Sequence, residues 1–265
     1  MPTLARPDGD LAYEVVGEGP PLALVTGLGG VAAYWTNLVP VLSRSFSVIL
    51  HDQIPTGASR ARARRTSHSV EALAADLAAL LDHLGCDRCH LIGHSTGAAV
   101  GQVMALDYPE RLGRLVLYAG WAGPDPHFSY CFEIRRRALI ERGVPAYNEM
   151  GPLFLYPPRW IARHRDRVAK IIADADAAPP PVEAIAARID MIVAFDRRAR
   201  LGAIRAPTLV VCAEDDILTP PHLSEELAAG IPDARLARLP WGGHACSQTA
   251  PEDFLAAVLP FLEGR

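Results

Sequence analysis

Cys89-His90-Leu91-Ile92-Gly93-His94-Ser95-Thr96-Gly97 reads as a short apolar strand running into a tight turn, and the stretch from Ala98 to Leu106 reads as the helix that follows. A serine on so sharp a strand-to-helix turn is pushed into a strained backbone conformation. Its neighbours two positions away must be nearly without side chains for the turn to close, and glycine at 93 and 97 meets that demand. The turn lifts the Ser95 hydroxyl above the sheet edge, where a base can reach it and the first N–H groups of the helix can meet a developing negative charge. A chain of this length meets G-x-S-x-G by chance about once in ten, so the surrounding sequence has to carry the reading.

Working outward, strand and helix patterns alternate. Leu11 to Val16, the turn-rich Gly17-Glu18-Gly19-Pro20-Pro21 and Leu22 to Val25 read as a hairpin. An amphipathic stretch from Trp35 to Leu42 and a strand from Phe46 to Leu50 follow. The next helix starts at an N-capping Ser69, carries Glu71 in its first turn and Leu73, Leu77, Leu80, Leu81 and Leu84 at helical spacing, and stops at Gly85. Beyond the serine turn, Leu115 to Tyr118 is a strand. From Pro124 to Arg200 the rhythm becomes helical, with proline breaks at 157–158 and 179–181 and arginine clusters at 135–137 and 197–198. The clusters are expected on solvated helix faces. Alternation resumes with a strand at Thr208 to Ala213, a helix at Leu223 to Ala229, a strand at Ala234 to Leu239 and a helix at Pro251 to Leu262.

This order predicts an α/β fold: a mostly parallel sheet with helices on both faces, reached by right-handed crossovers. Residues 1–123 and 201–265 form its core. Residues 124–200 form a helical lid inserted between the two halves, over the carboxyl edge where open α/β sheets bind ligands.

The 265 residues are half apolar with a net charge of −4, which argues against nucleic-acid binding and against disorder. The N-terminus lacks the order of a signal peptide, and no apolar run approaches the roughly 18 residues of a membrane span. A soluble, cytoplasmic protein without membrane partners and with a small-molecule substrate is expected; a homodimer is compatible with the chain. The odd count of five cysteines argues against a disulfide framework. Cys86 and Cys89 have C-x-x-C spacing but no second pair follows, and they read as small apolar residues at a helix end and a strand start. No metal and no cofactor is expected.

A nucleophilic serine needs a base to take its proton and an acid to orient that base. Both occur in loops after predicted strands: Glu214-Asp215-Asp216 after Thr208 to Ala213, and Gly242-Gly243-His244 after Leu239. Asp125, in the loop after Tyr118, is the second candidate for the acid. His94 reads as a residue packed beside the nucleophile. Acyl transfer also needs two N–H donors for the oxyanion. One is the N–H of Thr96; the other is expected from the glycine loop Thr26-Gly27-Leu28-Gly29-Gly30, at Leu28. That loop lacks the lysine of a phosphate-binding loop. Trp35, Trp121, Phe154, Tyr156 and Trp160 are substrate-pocket candidates, although aromatic residues of this kind are more commonly core.

These residues, with His51-Asp52-Gln53, Asp107-Tyr108-Pro109-Glu110-Arg111-Leu112 and the Asp216 to Pro220 spacing, resemble an α/β-hydrolase over nearly the whole chain. The resemblance implies an eight-stranded sheet and the triad order Ser95, Asp216, His244. It favours Asp216 among the acids because the family places the acid four residues before a proline; Asp215 is then a turn residue. Within the superfamily the chain is most similar to the pyrimidine-utilisation protein D family, described as aminoacrylate or carbamate hydrolases of uracil degradation. Ala105-Leu106-Asp107-Tyr108-Pro109, Gly151-Pro152-Leu153-Phe154-Leu155-Tyr156-Pro157 and Gly242-Gly243-His244-Ala245-Cys246 carry that similarity. The 3-oxoadipate enol-lactonases are more distant.

The resemblance implies a serine hydrolase that cleaves a small ester, amide or carbamate-type carbonyl through an acyl-enzyme. An enol-lactonase or carboxylesterase is the alternative, and a non-catalytic ligand-binding protein of the same fold is the rival from another class. Dehalogenase and epoxide-hydrolase chemistry is disfavoured because it needs a carboxylate at position 95. One departure stands out: many relatives have Asp-x-Arg-Gly-x-Gly after the fourth strand, whereas this chain has Asp52-Gln53-Ile54-Pro55-Thr56-Gly57.

Overall fold

The computed structural model describes residues 1–62 and 68–265. Strands β1 (Thr3–Arg6), β2 (Gly9–Val16) and β3 (Pro21–Val25) lead to a short helix α1 (Val39–Leu42), then to β4 (Ser47–His51) and the two-residue β5 (Arg60–Ala61). Helix α2 (Val70–His83), β6 (Cys89–His94), α3 (Thr96–Asp107) and β7 (Leu112–Tyr118) complete the first half. Four helices follow: α4 (Pro126–Leu155), α5 (Pro158–Arg163), α6 (Arg165–Ala177) and α7 (Val182–Val193). The second half is β8 (Thr208–Ala213), α8 (Pro221–Gly230), β9 (Arg235–Leu239), α9 (Cys246–Thr249) and α10 (Pro251–Leu262).

The sheet runs β1-β2-β4-β3-β6-β7-β8-β9, with β5 added against β2. All pairs from β4 to β9 are parallel, and β2 pairs antiparallel with β1, β4 and β5. The period-2 alternation of the buried strands separates two cores. Leu115 and Leu117 of β7 join Leu91, Val210 and the inner faces of α2 and α3 on one side. Val116 and Tyr118 join Ile92, Val211 and α10 on the other. In α2, Ser69 caps by accepting from the Ala72 N–H, and Leu73, Leu77, Leu80 and Leu81 are buried as their spacing requires.

Two expectations are corrected. β2 and β3 do not pair with each other, because β4 lies between them. Val48, Ile49 and Leu50 are buried on both faces of the sheet, so β4 needs an interior slot. Gly17 and Gly19, both at positive φ, pack so closely on the backbone of residues 43–46 that a Cβ at either would collide with it. The hairpin lies one strand earlier: β1 turns through Pro7-Asp8 into β2, in the register Arg6↔Gly9.

The second correction concerns Arg135. It follows Phe128 and Phe132 and precedes Leu139 at positions i, i+4, i+7 and i+11, so it faces inward and is 6% exposed. Arg136 and Arg137 turn outward, to Asp190 at 2.8 Å and Glu133 at 2.6 Å. Helix α4 breaks at Gly143, whose φ of 83° no L-residue adopts without strain. Among the described residues no helix is long and apolar enough to cross a membrane.

Candidate active site

Ser95 sits between β6 and α3 at φ 54° and ψ −114°, a region that costs a non-glycine residue about 1–3 kcal/mol. Three things hold it there. Its N–H donates to the carbonyl of Tyr118 at 2.9 Å, and its own carbonyl accepts from Ala98 and Ala99, the first turn of α3. The glycines leave no alternative: a Cβ on Gly93 would strike the Gly97 carbonyl, and one on Gly97 would strike the Val25 carbonyl. The first N–H groups of a helix lack intrahelical acceptors and carry its positive dipole end, so the Thr96 N–H is available beside the Ser95 hydroxyl.

His244 and Asp216 come from the loops after β9 and β8. His244 is 1% exposed, and its Nδ1 lies 3.0 Å from Asp216 Oδ2. A carboxylate oxygen accepts, so Nδ1 is the donor in this pair. Asp216 in turn accepts the N–H groups of Leu218 (2.8 Å) and Thr219 (2.9 Å) at Oδ1. Thr219 Oγ1 stands 2.8 Å from Asp216 Oδ2 and 3.1 Å from both His244 Nδ1 and the Ala119 carbonyl. The carboxylate is thereby fixed on both oxygens. Asp215 acts on the backbone instead, where its Oδ1 accepts the Gly243 N–H at 2.8 Å and ties the histidine loop to the acid loop. Asp125 lies elsewhere. It caps α4 by accepting from Phe128 N (2.7 Å) and pairs with His222 at 2.6 Å.

His94 links the serine and histidine loops. Its ring stacks on Tyr34 (4.5 Å, 8° between planes) and tilts against Tyr118 (4.6 Å) and His244 (4.9 Å). Its Nε2 donates to the His244 carbonyl at 3.0 Å, and Tyr118 Oη donates to the same oxygen at 2.9 Å. Burial, and then the neighbouring His244, hold His94 well below the usual imidazole range, so it is neutral. It packs beside Ser95, as its place in the turn implies.

The glycine loop after β3 reaches the same place. A Cβ on Gly27 would stand 3.1 Å from both His94 Nδ1 and Ser95 Cβ. Its geometry depends on two residues that sequence reasoning did not single out. Arg188 of α7, 2% exposed, donates to the Leu28 carbonyl from Nε (3.0 Å) and Nη2 (2.8 Å), and to Gln53 Oε1 (2.5 Å). Gln53 donates to the Thr26 carbonyl at 2.8 Å. An arginine thus grips this loop from α7, while the Asp52 to Gly57 loop itself contains no arginine. Asp52 orders that loop, accepting from Ala32 N and Ala58 N at 2.7 Å each.

The aromatic pocket candidates are divided. Trp35 and Trp121 are fully buried in the two sheet cores. Tyr156 stacks on Trp160 (4.6 Å), donates to Gln248 at 3.0 Å, and packs with Ala245 in a separate small cluster. Phe154 faces the guanidinium of Arg135 at 5.5 Å. A surface cleft of ≈ 330 Å³, lined by Pro20, Arg88, His90, Arg114 and Pro207 among others, opens at the amino edge of the strands, opposite Ser95. Among the described residues no group of three His, Cys, Asp or Glu side chains is placed to hold a metal.

A sequence profile for the alpha/beta hydrolase fold matches residues 20–140. A protein of Azorhizobium caulinodans named "Putative carbamate hydrolase RutD" is 41% identical over 261 residues, 98% of each chain. Among solved structures, a hydrolase from Pseudomonas aeruginosa PA01 is 32% identical with a TM-score of 0.88, over 98% of this chain and 97% of that one. The enol-lactonase from Burkholderia xenovorans LB400 is 25% identical with a TM-score of 0.90, over 99% and 100%. With this fold, and with that identity sustained from end to end, the chain belongs to the α/β-hydrolase superfamily and, within it, to the RutD family of hydrolases.

Proposed function

We propose that this hydrolase uses Ser95 as nucleophile, His244 as base and Asp216 as the acid that orients it. The observation that carries the reading is the buried His244 Nδ1 to Asp216 Oδ2 hydrogen bond at 3.0 Å, set against a serine held at positive φ on a neighbouring loop. Ser95 Oγ attacks the substrate carbonyl as His244 Nε2 takes its proton. The oxyanion is met by the N–H groups of Thr96 and Leu28, and the imidazolium by Asp216. Collapse returns the proton to the leaving group. Water, deprotonated by His244, then releases the acyl group and restores Ser95.

The substrate is a small ester, amide or carbamate-type compound, and the RutD relationship favours an aminoacrylate or carbamate of pyrimidine degradation. The likeness to an enol-lactonase supports lactone hydrolysis as the second reading. Residues 124–200 act as a lid in this scheme: Ala245 N, beside His244, donates to Leu155 at 3.0 Å, and Arg188 holds the Leu28 loop.

Labelling with a fluorophosphonate tests the chemistry. An adduct on Ser95, absent in Ser95→Ala, is expected; folded protein without an adduct overturns it. Turnover of a carbamate or aminoacrylate source, an enol-lactone and aryl esters by one preparation then ranks the substrates.

A further inference from the structure

Arg135 is a buried cation, and among the described residues no carboxylate forms an ion pair with it. Its guanidinium lies against the rings of Phe132 (5.1 Å), Tyr147 (5.1 Å) and Phe154 (5.5 Å). Nη2 donates to Tyr147 Oη at 3.0 Å. Nε is buried with no hydrogen-bond partner among the described residues. Aromatic faces stabilise a desolvated cation but leave Nε without an acceptor, and burial of an unpaired charge is costly. The planar fork matches one ligand chemistry above others, a carboxylate taken through two parallel hydrogen bonds.

The cage stands next to the proposed catalytic loop. Phe154, which covers one side of the guanidinium, immediately precedes Leu155, and the Leu155 carbonyl accepts the N–H of Ala245, the residue after His244. A Cβ on Gly243 would lie 3.0 Å from that carbonyl. Arg135 and the His244 loop therefore pack on one short segment of the chain, Phe154-Leu155.

We propose that Arg135 binds a carboxylate carried by the substrate, so that this enzyme selects small acyl compounds with a free carboxylate at one end. Arg135 touches substrate away from the reacting carbonyl and sets specificity. The inference rests on the serine-hydrolase reading for its kinetic test, and a binding test separates the two.

Methyl hydrogen succinate and dimethyl succinate present the same leaving group on the same carbon skeleton and differ in one charge. Wild type is expected to favour the half-ester in kcat/KM by about tenfold or more, and Arg135→Met to lower that preference by about tenfold. Arg135→Lys should recover part of it. A preference unchanged in Arg135→Met, with both esters declining together, marks a structural residue and overturns the proposal, as does a wild type indifferent to the charge. If wild type hydrolyses neither ester, fluorophosphonate labelling decides Ser95 and calorimetric titration with succinate decides Arg135. Wild type should bind succinate in preference to succinamide, and Arg135→Met should bind it about tenfold more weakly. If the Met variant does not fold, the wild-type comparison and Arg135→Lys carry the decision: equal binding of succinate and succinamide by wild type overturns the proposal.

Discussion

His94 donates its Nε2–H to the backbone carbonyl of His244 at 3.0 Å, so the residue that precedes the proposed nucleophile fixes the main chain of the proposed base. Their rings are 4.9 Å apart. The bond couples two segments separated by 150 positions and fixes the main chain from which the His244 imidazole projects. His94→Phe retains the ring stacked on Tyr34 and loses the donor, while Tyr118 Oη still holds the same carbonyl. Loss of one such bond removes about 1–2 kcal/mol, which predicts a kcat lower by roughly 5- to 30-fold with KM little changed. Steady-state kinetics on one ester decide it; a change confined to KM counts against a positioning role.

Thr219 separates orientation from charge at Asp216, the proposed acid. Its hydroxyl joins Asp216 Oδ2 and His244 Nδ1 at 2.8 and 3.1 Å, while Asp216 supplies the negative charge. Asp216→Asn removes the charge and disturbs the tautomer of His244, and kcat should drop by about 10³- to 10⁴-fold. Thr219→Val deletes one hydroxyl and should cost about tenfold, and Thr219→Ser should stay close to wild type. If the valine variant matches the asparagine variant, the hydroxyl is more than an orienting group.

Much of this was legible in the chain. The helix at Pro251–Leu262 and the strand at Thr208–Ala213 have the bounds expected from proline placement and from apolar runs. The elbow was legible because its constraint is local: glycine at 93 and 97 is demanded by atoms within a few residues or one strand away. Loop position pointed to residues 214–216 and to His244, and the resemblance picked Asp216 among the acids; the structure brings Asp216 and His244 within hydrogen-bond distance. Arg188 and Arg135 were not legible, because the reason they matter is distant. Arg188 lies 160 positions from the carbonyl it grips, and Arg135 sits in a run of three arginines whose sequence does not say which one the helical phase turns inward. The β2–β3 pairing failed for a related reason: strand order in a sheet is a tertiary choice, and apolar β4 had the stronger claim to the interior.

Arg188 supports the loop that carries the proposed oxyanion donor, because it bonds the Leu28 carbonyl twice. Its removal should leave Ser95 intact and loosen Leu28. Arg188→Met is expected to lower kcat by about 10- to 100-fold, and fluorophosphonate labelling of Ser95 should slow in step, because both reactions build charge in the same oxyanion site. Arg188→Lys should give little rescue, since an ammonium cannot bridge the Leu28 carbonyl and Gln53 as a planar fork does. Recovery of full activity in the lysine variant would falsify the two-point grip.

His51, at the end of β4, sets a limit on acid stability. It is buried, its Nδ1 has no hydrogen-bond partner among the described residues, and burial lowers its pKa from 6.5 to about 4, against a smaller upward pull from Asp52. The folded state therefore holds a neutral imidazole while the unfolded chain takes up a proton near pH 6.5. The unfolded state binds more protons between these values, so stability is full above about pH 6.5, falls as pH drops, and levels off below about pH 4. Each pH unit in that window is worth about 1.4 kcal/mol, a loss of roughly 3 kcal/mol in all from this group. His94, also held neutral by burial, acts in the same direction. Urea unfolding between about pH 7 and pH 4.5 should show a stability slope that is shallower in His51→Gln than in wild type by about 1.4 kcal/mol per unit. Carboxylates protonate alike in both proteins and cancel in the difference, so parallel slopes would mean that His51 is protonated in the folded state.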